Sequence, residues 1–185
     1  DFGADSSITE AVAEALLRAP TLVKDTQDLL PLEPLKQRKL LVISGGIVEP
    51  LQGDDSPSLI LPDLLEKEGF EVIMHEPGTP IEPTEVDLVL YLFAEETLLT
   101  RGRIFLDWAK LTGSYRLAMS RPWHEVPTAM ISFGYPYYLY DAPRVPTYIN
   151  AYSTANSMQK AVAELLMGRA KWNRHSPLDP FAGAP

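Results

Sequence analysis

Lys39-Leu40-Leu41-Val42-Ile43-Ser44-Gly45 is the stretch on which the fold turns. Its apolar residues follow one another without alternation, and Gly45-Gly46 ends the run where the chain must bend sharply. A strand with one wet face alternates apolar and polar residues, whereas an unbroken run fits a strand covered on both faces. Four further runs resemble it: Phe70 to Glu76, Val86 to Ala94, Thr128 to Phe133 and Thr147 to Tyr152. Helical or turn-forming segments separate them. The pattern predicts an α/β fold: a doubly wound, flavodoxin-like sandwich with a mostly parallel sheet of five or six strands. The Lys39 strand lies centrally, in an order near 2-1-3-4-5.

The segments between the runs supply the helices. Ser7-Ile8-Thr9-Glu10 matches a capping box, Ile8, Val12, Leu16 and Ala19 share a helical face, and Pro20 stops the helix. Thr21 to Lys24 is a short extended piece, followed by a turn and the hook Leu29-Leu30-Pro31-Leu32; helix and hook together could clamp a preceding domain. A helix lies between Ser56 and Gly69, its start delayed by Pro62 and its end set by Gly69. Ile104, Phe105, Trp108 and Leu111 form an amphipathic stripe, and Arg116 to Met119 reads as an extra short strand. Gly134 to Pro143 is a dense aromatic turn. Ser153 or Thr154 caps a last helix that buries Met158, Ala161, Val162, Leu165 and Leu166 and closes at Gly168. The expected division is a linking helix at 1–20, the sandwich at 21–168, and a tail at 169–185 packed on the domain or its partner.

Composition narrows the function. Of 185 residues, 45% are hydrophobic and 22% charged, an ordinary globular balance. The 17 prolines sit mainly at segment ends, so they punctuate elements and do not mark disorder. A net charge of −9 with no basic stripe speaks against a nucleic-acid partner. With no cysteine, disulfides, thiolate metal sites and cysteine nucleophiles are excluded. No apolar run approaches the ~18–20 residues of a membrane span, and no signal-peptide profile opens the chain. A soluble chain is expected, the cytoplasm slightly favoured; Asp1 in place of methionine suggests that the chain continues upstream.

Right-handed crossovers bring the loops after the strands to one edge of the sheet. Gly45, Gly46, Glu95, Glu96, Tyr135 and Tyr137 therefore line one crevice, the usual binding site of such sheets. Glu95-Glu96 beside Phe93 could serve as a general acid, or as a solvated pair capping the next helix. Gly45-Gly46 could approach a phosphate, but no third glycine follows at dinucleotide spacing and no Gly-Lys-Ser or Gly-Lys-Thr occurs, so the pair reads as a tight turn. Ser132 ends a strand, yet Met130 stands where a nucleophile elbow needs glycine, so it reads as a core or capping serine. His75, His124 and His175 lack metal-ligand spacing; neither a metal nor a cofactor is expected. The cluster Tyr135, Tyr137, Tyr138 and Tyr140 could stack on sugar rings or meet a neighbouring domain.

Several strings resemble the C-terminal domain of glycoside hydrolase family 3. Thr21-Leu22-Val23-Lys24-Asp25 and Leu29-Leu30-Pro31-Leu32 are similar to the start of that domain, and Arg38 to Gly45 to its first strand. Val126-Pro127-Thr128, Ile131-Ser132-Phe133-Gly134 and Tyr135-Pro136-Tyr137 resemble its "iPtv…vsfGnPY" run, with Tyr135 where asparagine is usual. Asn150-Ala151-Tyr152, followed by Gln159, Ala161, Val162, Leu166 and Gly168, is similar to its ending. Ser176-Pro177-Leu178-Asp179 resembles a tail common in the N-acetylhexosaminidase-like branch. The resemblance runs from about residue 8 to about residue 183, in order.

It implies a two-domain parent acting on β-linked sugars, N-acetylhexosaminides or glucosides. An N-terminal barrel would carry the nucleophilic aspartate, and this sandwich would pack beside the barrel's mouth. In one branch the acid/base carboxylate comes from the loop after the third strand, which Glu95 matches with Glu96 beside it. In the N-acetylglucosaminidase-like branch a His–Asp pair in the barrel takes that role, and the Ser176–Asp179 tail leans that way. Retaining hydrolysis needs two carboxylates ~5–5.5 Å apart, and this chain carries at most the second. Alone, it is expected to be inactive. Two alternatives stand beside this reading: a free-standing small-molecule module using Gly45-Gly46, and a dimerisation module joined through Tyr135 to Tyr140.

Overall fold

Six strands form one sheet: β1 (Thr21–Asp25), β2 (Lys39–Gly45), β3 (Glu71–Met74), β4 (Leu88–Phe93), β5 (Thr128–Ser132) and β6 (Thr147–Asn150). Their spatial order is β1-β6-β5-β4-β2-β3. The computed structural model describes residues 6–45, 59–95, 104–181 and 183, with side chains from residue 10 onward. The five expected strands are present with slightly trimmed ends, parallel throughout and in the expected order. The extended piece at Thr21 adds a sixth, antiparallel to β6, with a register shift between Leu22 and Lys24. Such an irregularity increases the local twist of an edge strand.

Burial follows position in the sheet. Every residue of β4 is buried, as its unbroken apolar run requires, whereas edge strand β3 leaves Ile73 and Met74 exposed. Successive side chains alternate between faces, so one sheet makes two cores. Leu40, Val42, Leu88, Leu90, Leu92 and Ile131 point to the first. There they meet α2 (Leu61–Lys67) and α5 (Asn156–Leu166), and α1 (Ser6–Arg18) packs on α5. Leu41, Ile43, Val89, Tyr91, Phe93 and Met130 face the second, under α3 (Trp108–Thr112), two 3-10 turns and α4 (Tyr138–Asp141). The hook residues Leu29 and Leu32 insert into the first core of this same domain. In the tail, the Asn173 carbonyl accepts the Leu22 amide at 2.8 Å, extending the sheet beyond β1.

Three expectations change. Arg116 to Met119 is not a strand: Leu117–Met119 forms a 3-10 turn, because Ser114 accepts the Leu117 amide on its hydroxyl and the Ala118 amide on its carbonyl. The helix expected from Ile104 is a short α3, capped by Asp107 on the Lys110 amide and ended by Gly113 at φ +80°. Neither Ser153 nor Thr154 is the N-cap of α5; Ala155 holds that position, and the Ser153 hydroxyl accepts the Ala155 amide, two residues on. The Ser7–Glu10 capping box involves side chains outside the described residues, as does the chain before Leu59 in the second helix.

One buried amide links the two helices of the first layer. Ile60 caps α2 without a side-chain hydrogen bond. The fully buried Gln159 on α5 fills the role, its side-chain oxygen accepting the Ile60 amide at 2.8 Å and the Leu61 amide at 3.1 Å. Its own amide group donates to the Thr154 carbonyl at 2.8 Å. Gln159→Leu keeps the volume but strands these donors, so urea unfolding should show a loss of about 1–3 kcal/mol.

Candidate functional site

The carboxyl ends of the parallel strands are tied together beyond the sheet itself. The Ala94 amide donates to the Gly45 carbonyl at 3.1 Å, and the Phe133 amide to the Phe93 carbonyl at 2.8 Å. The Ala151 amide donates to the Ser132 carbonyl at 2.7 Å, and the Tyr135 amide to the Glu95 carbonyl at 2.7 Å. Gly45, Glu95, Tyr135 and Tyr137 thus come to one edge, where the topology predicts a binding crevice. Gly46 and Glu96 lie outside the described residues.

The segment from Tyr135 to Tyr138 forms the rim, and four side chains pin it. The Ser132 hydroxyl, fully buried, donates to the Tyr135 carbonyl. The Pro136 carbonyl accepts two bonds, from the Tyr148 hydroxyl at 3.1 Å and the Asn150 amide at 3.0 Å. The Tyr138 hydroxyl donates to a Glu95 carboxylate oxygen at 2.7 Å. Aromatic edges complete the structure: Tyr135 meets Tyr137 at 5.3 Å and Tyr138 at 5.2 Å, both in T-shaped contact. Tyr135 and Tyr137 stay half-buried, open on one side, while Tyr138 is enclosed against Phe93. A rim held this way is set before any ligand arrives.

Electrostatics at the rim are those of an enclosed space. Glu95 is only 5% exposed and meets Tyr138. Burial pushes the Tyr138 hydroxyl far above its ordinary range, and the hydrogen bond to Glu95 adds to the shift. Burial likewise raises Tyr148 and, deeper in the second core, Tyr91. These hydroxyls therefore remain neutral donors. Tyr152, just past β6, sits at φ +64°, a left-handed conformation costing about 1–2 kcal/mol for a residue with a side chain; its hydroxyl donates to Thr21 on the edge strand at 3.1 Å.

Other sequence candidates separate from the rim. A Cβ added at Gly45 would stand 3.0 Å from Leu111 and 3.1 Å from Phe93, so the glycine serves close packing of α3 on the sheet. Ser132 holds the rim from the core, as a capping serine does. His75 follows β3 on the far side of β2 and lines a different pocket. Among the described residues, no three His, Cys, Asp or Glu side chains gather as a metal site. No helix among them is long and apolar enough to cross a membrane. Asn150 and Tyr148 were not singled out as site residues from sequence; their one signal is position, at the end of the last strand beside the crevice.

No protein-family model matches the chain. A beta-N-acetylglucosaminidase/beta-glucosidase of Cellulomonas fimi is 32% identical to it across 97% of the chain and 34% of the relative. Among solved structures, the beta-glucoside phosphorylase BglX superposes with a TM-score of 0.80 at 32% identity, over 98% of this chain and 33% of its own. A family 3 beta-N-acetylglucosaminidase from Paenibacillus sp. shares the fold, with a TM-score of 0.59 at 17% identity, over 93% and 32%. The chain spans about a third of the length of each of these proteins. A match along almost the whole chain but only about a third of each relative, together with the shared α/β sandwich, is consistent with the C-terminal domain of glycoside hydrolase family 3.

Proposed function

We propose that the chain is the accessory domain of a glycoside hydrolase acting on β-linked glucosides or N-acetylglucosaminides, and that its rim walls the substrate crevice of a catalytic barrel. The observation that carries this reading is the pinned rim: Tyr135 and Tyr137 are half open at the strand ends while Ser132, Tyr148, Asn150 and Glu95 fix their loop from below. Rigid aromatic faces suit the apolar faces of sugar rings, and holding them in advance lowers the entropy lost on binding. Glu95 acts as a positioning residue. Its burial and its bond to Tyr138 leave little of the carboxylate open to a glycosidic oxygen, so the nucleophile and the acid/base both belong to the barrel.

The test uses a protein carrying this chain together with its barrel. Tyr137→Ala should raise KM for an aryl β-glycoside about 10-fold and change kcat less than 3-fold, the pattern of lost binding shared by ground and transition states. Glu95→Gln should also raise KM while leaving the alkaline limb of the kcat/KM profile in place. Loss of that limb, with activity restored by azide, would make Glu95 the acid/base and overturn its positioning role. Unchanged kinetics in both variants would remove the rim from the substrate site.

A further inference from the structure

A second pocket lies on the same face of the sheet as Tyr91, away from the rim, between the loop after β3 and the two 3-10 turns before β5. It encloses about 140 Å³ and is lined by His75, Ile81, Tyr91, Leu117, Arg121 and Glu125, among others. Arg121 is its most specific feature. The guanidinium carbon stands over the Trp108 ring, 3.9 Å from its centre, and 5.7 Å from the centre of Trp123. It donates to the Ala118 and Ser120 carbonyls, and no carboxylate of the described residues pairs with it. An arginine held by stacking and by carbonyls has its direction fixed while its charge is left unmatched.

The opposite charge also lines the pocket, in Glu125, which is exposed and stands at the other end of the same 3-10 turn. Burial lowers the pKa of His75, so the imidazole is neutral at neutral pH; its Nε2 is buried without a partner among the described residues. The lining is thus balanced: a fixed donor, a carboxylate acceptor, a neutral imidazole and an aromatic floor. A free anion would meet Glu125 and a free cation would meet Arg121. Neither sign of ligand suits both, whereas adjacent hydroxyls can accept from one and donate to the other.

We propose that this pocket is a second binding site, separate from the rim, for a small neutral polyhydroxy ligand, namely one edge of a monosaccharide whose neighbouring hydroxyls bridge Arg121 and Glu125. The volume is close to that of a cavity that takes benzene, so it admits one edge of a pyranose and leaves the rest outside. A contact of this size gives a Kd in the range of about 1–10 mM.

The 185-residue chain is titrated with glucose and N-acetylglucosamine by ligand-observed NMR, with sodium acetate as the anionic control. Saturable binding of at least one sugar is expected, weakened at least 5-fold by Glu125→Gln and by Arg121→Gln and unchanged by Leu35→Ala, a fully exposed position outside both the pocket and the rim. Glu125 is exposed, so its variant keeps the test valid if the Arg121 variant fails to fold. No saturation by either sugar up to about 100 mM would overturn the site. Sugar binding lost in Tyr137→Ala but kept in Glu125→Gln would place the sugar at the rim. Tighter binding of acetate than of sugar would overturn the neutral-ligand class.

Discussion

Raising the pH from 9 to about 11.5 should unfold this domain cooperatively. Tyr91, Tyr138 and Tyr148 are 1%, 0% and 0% exposed, and burial raises the pKa of each well above the ordinary tyrosine range. In the unfolded chain the same hydroxyls ionise near pH ~10. Below that value neither state is ionised and the full stability is present. Above it, the unfolded chain gives up protons that the folded chain retains, so stability falls as pH rises. At pH ~11.5 each tyrosine favours unfolding by about 2 kcal/mol, or about 6 kcal/mol for the three. That is comparable with the whole stability of a typical domain, about 5–15 kcal/mol. Tyrosinate absorbance at 295 nm should therefore rise in two steps, the second coinciding with loss of far-UV dichroism. Titration of all eight tyrosines near pH ~10 with dichroism intact would contradict this burial.

Gly113→Ala is expected to cost about 2–4 kcal/mol, a large effect for one methyl group on the surface side of the second layer. Gly113 ends α3 at φ +80°, where a side chain is strained. A Cβ there would also stand 2.2 Å from the Gly78 nitrogen and 2.5 Å from the Pro77 carbonyl carbon, both backbone atoms that cannot rotate aside. The Gly78 amide meanwhile donates to the Thr112 carbonyl at 2.8 Å, so the two segments cannot part without losing that bond. Gly78→Ala is the natural control: φ is +100° there, but nothing lies within 4 Å of the added Cβ. It should cost only the backbone share, about 1–2 kcal/mol. Equal losses in the two variants, measured by urea unfolding, would show that contact with the Pro77–Gly78 backbone is unimportant.

The contrast between what the sequence exposes and what it hides has a physical basis. The runs at Lys39, Val86 and Thr128 are legible because strands buried on both faces must be apolar at every position, a signal contained in a few neighbours. The left-handed glycines that end α2 and α5, Gly69 at φ +102° and Gly168 at φ +72°, are legible for the same local reason. The segment at Arg116 misleads because its apolar residues fit a strand, while Ser114 one turn earlier offers the backbone hydrogen bonds that wind it into a 3-10 turn. The rim is harder still. Its positions follow from topology, but the Tyr138–Glu95 bond joins residues 43 apart and the Gln159–Ile60 bond residues 99 apart. No local pattern encodes such partners. Sequence therefore places Glu95 at the crevice without revealing that a buried tyrosine already holds it.

In the proposed role this domain shapes a sugar site without performing the chemistry. The most direct test is turnover by the 185-residue chain alone, shown by circular dichroism to be folded, on 4-nitrophenyl β-glucoside and β-N-acetylglucosaminide. No nitrophenol release above the uncatalysed rate is expected for either substrate. Turnover that disappears in Glu95→Gln would contradict the proposed role, because a catalytic carboxylate would then reside in this domain.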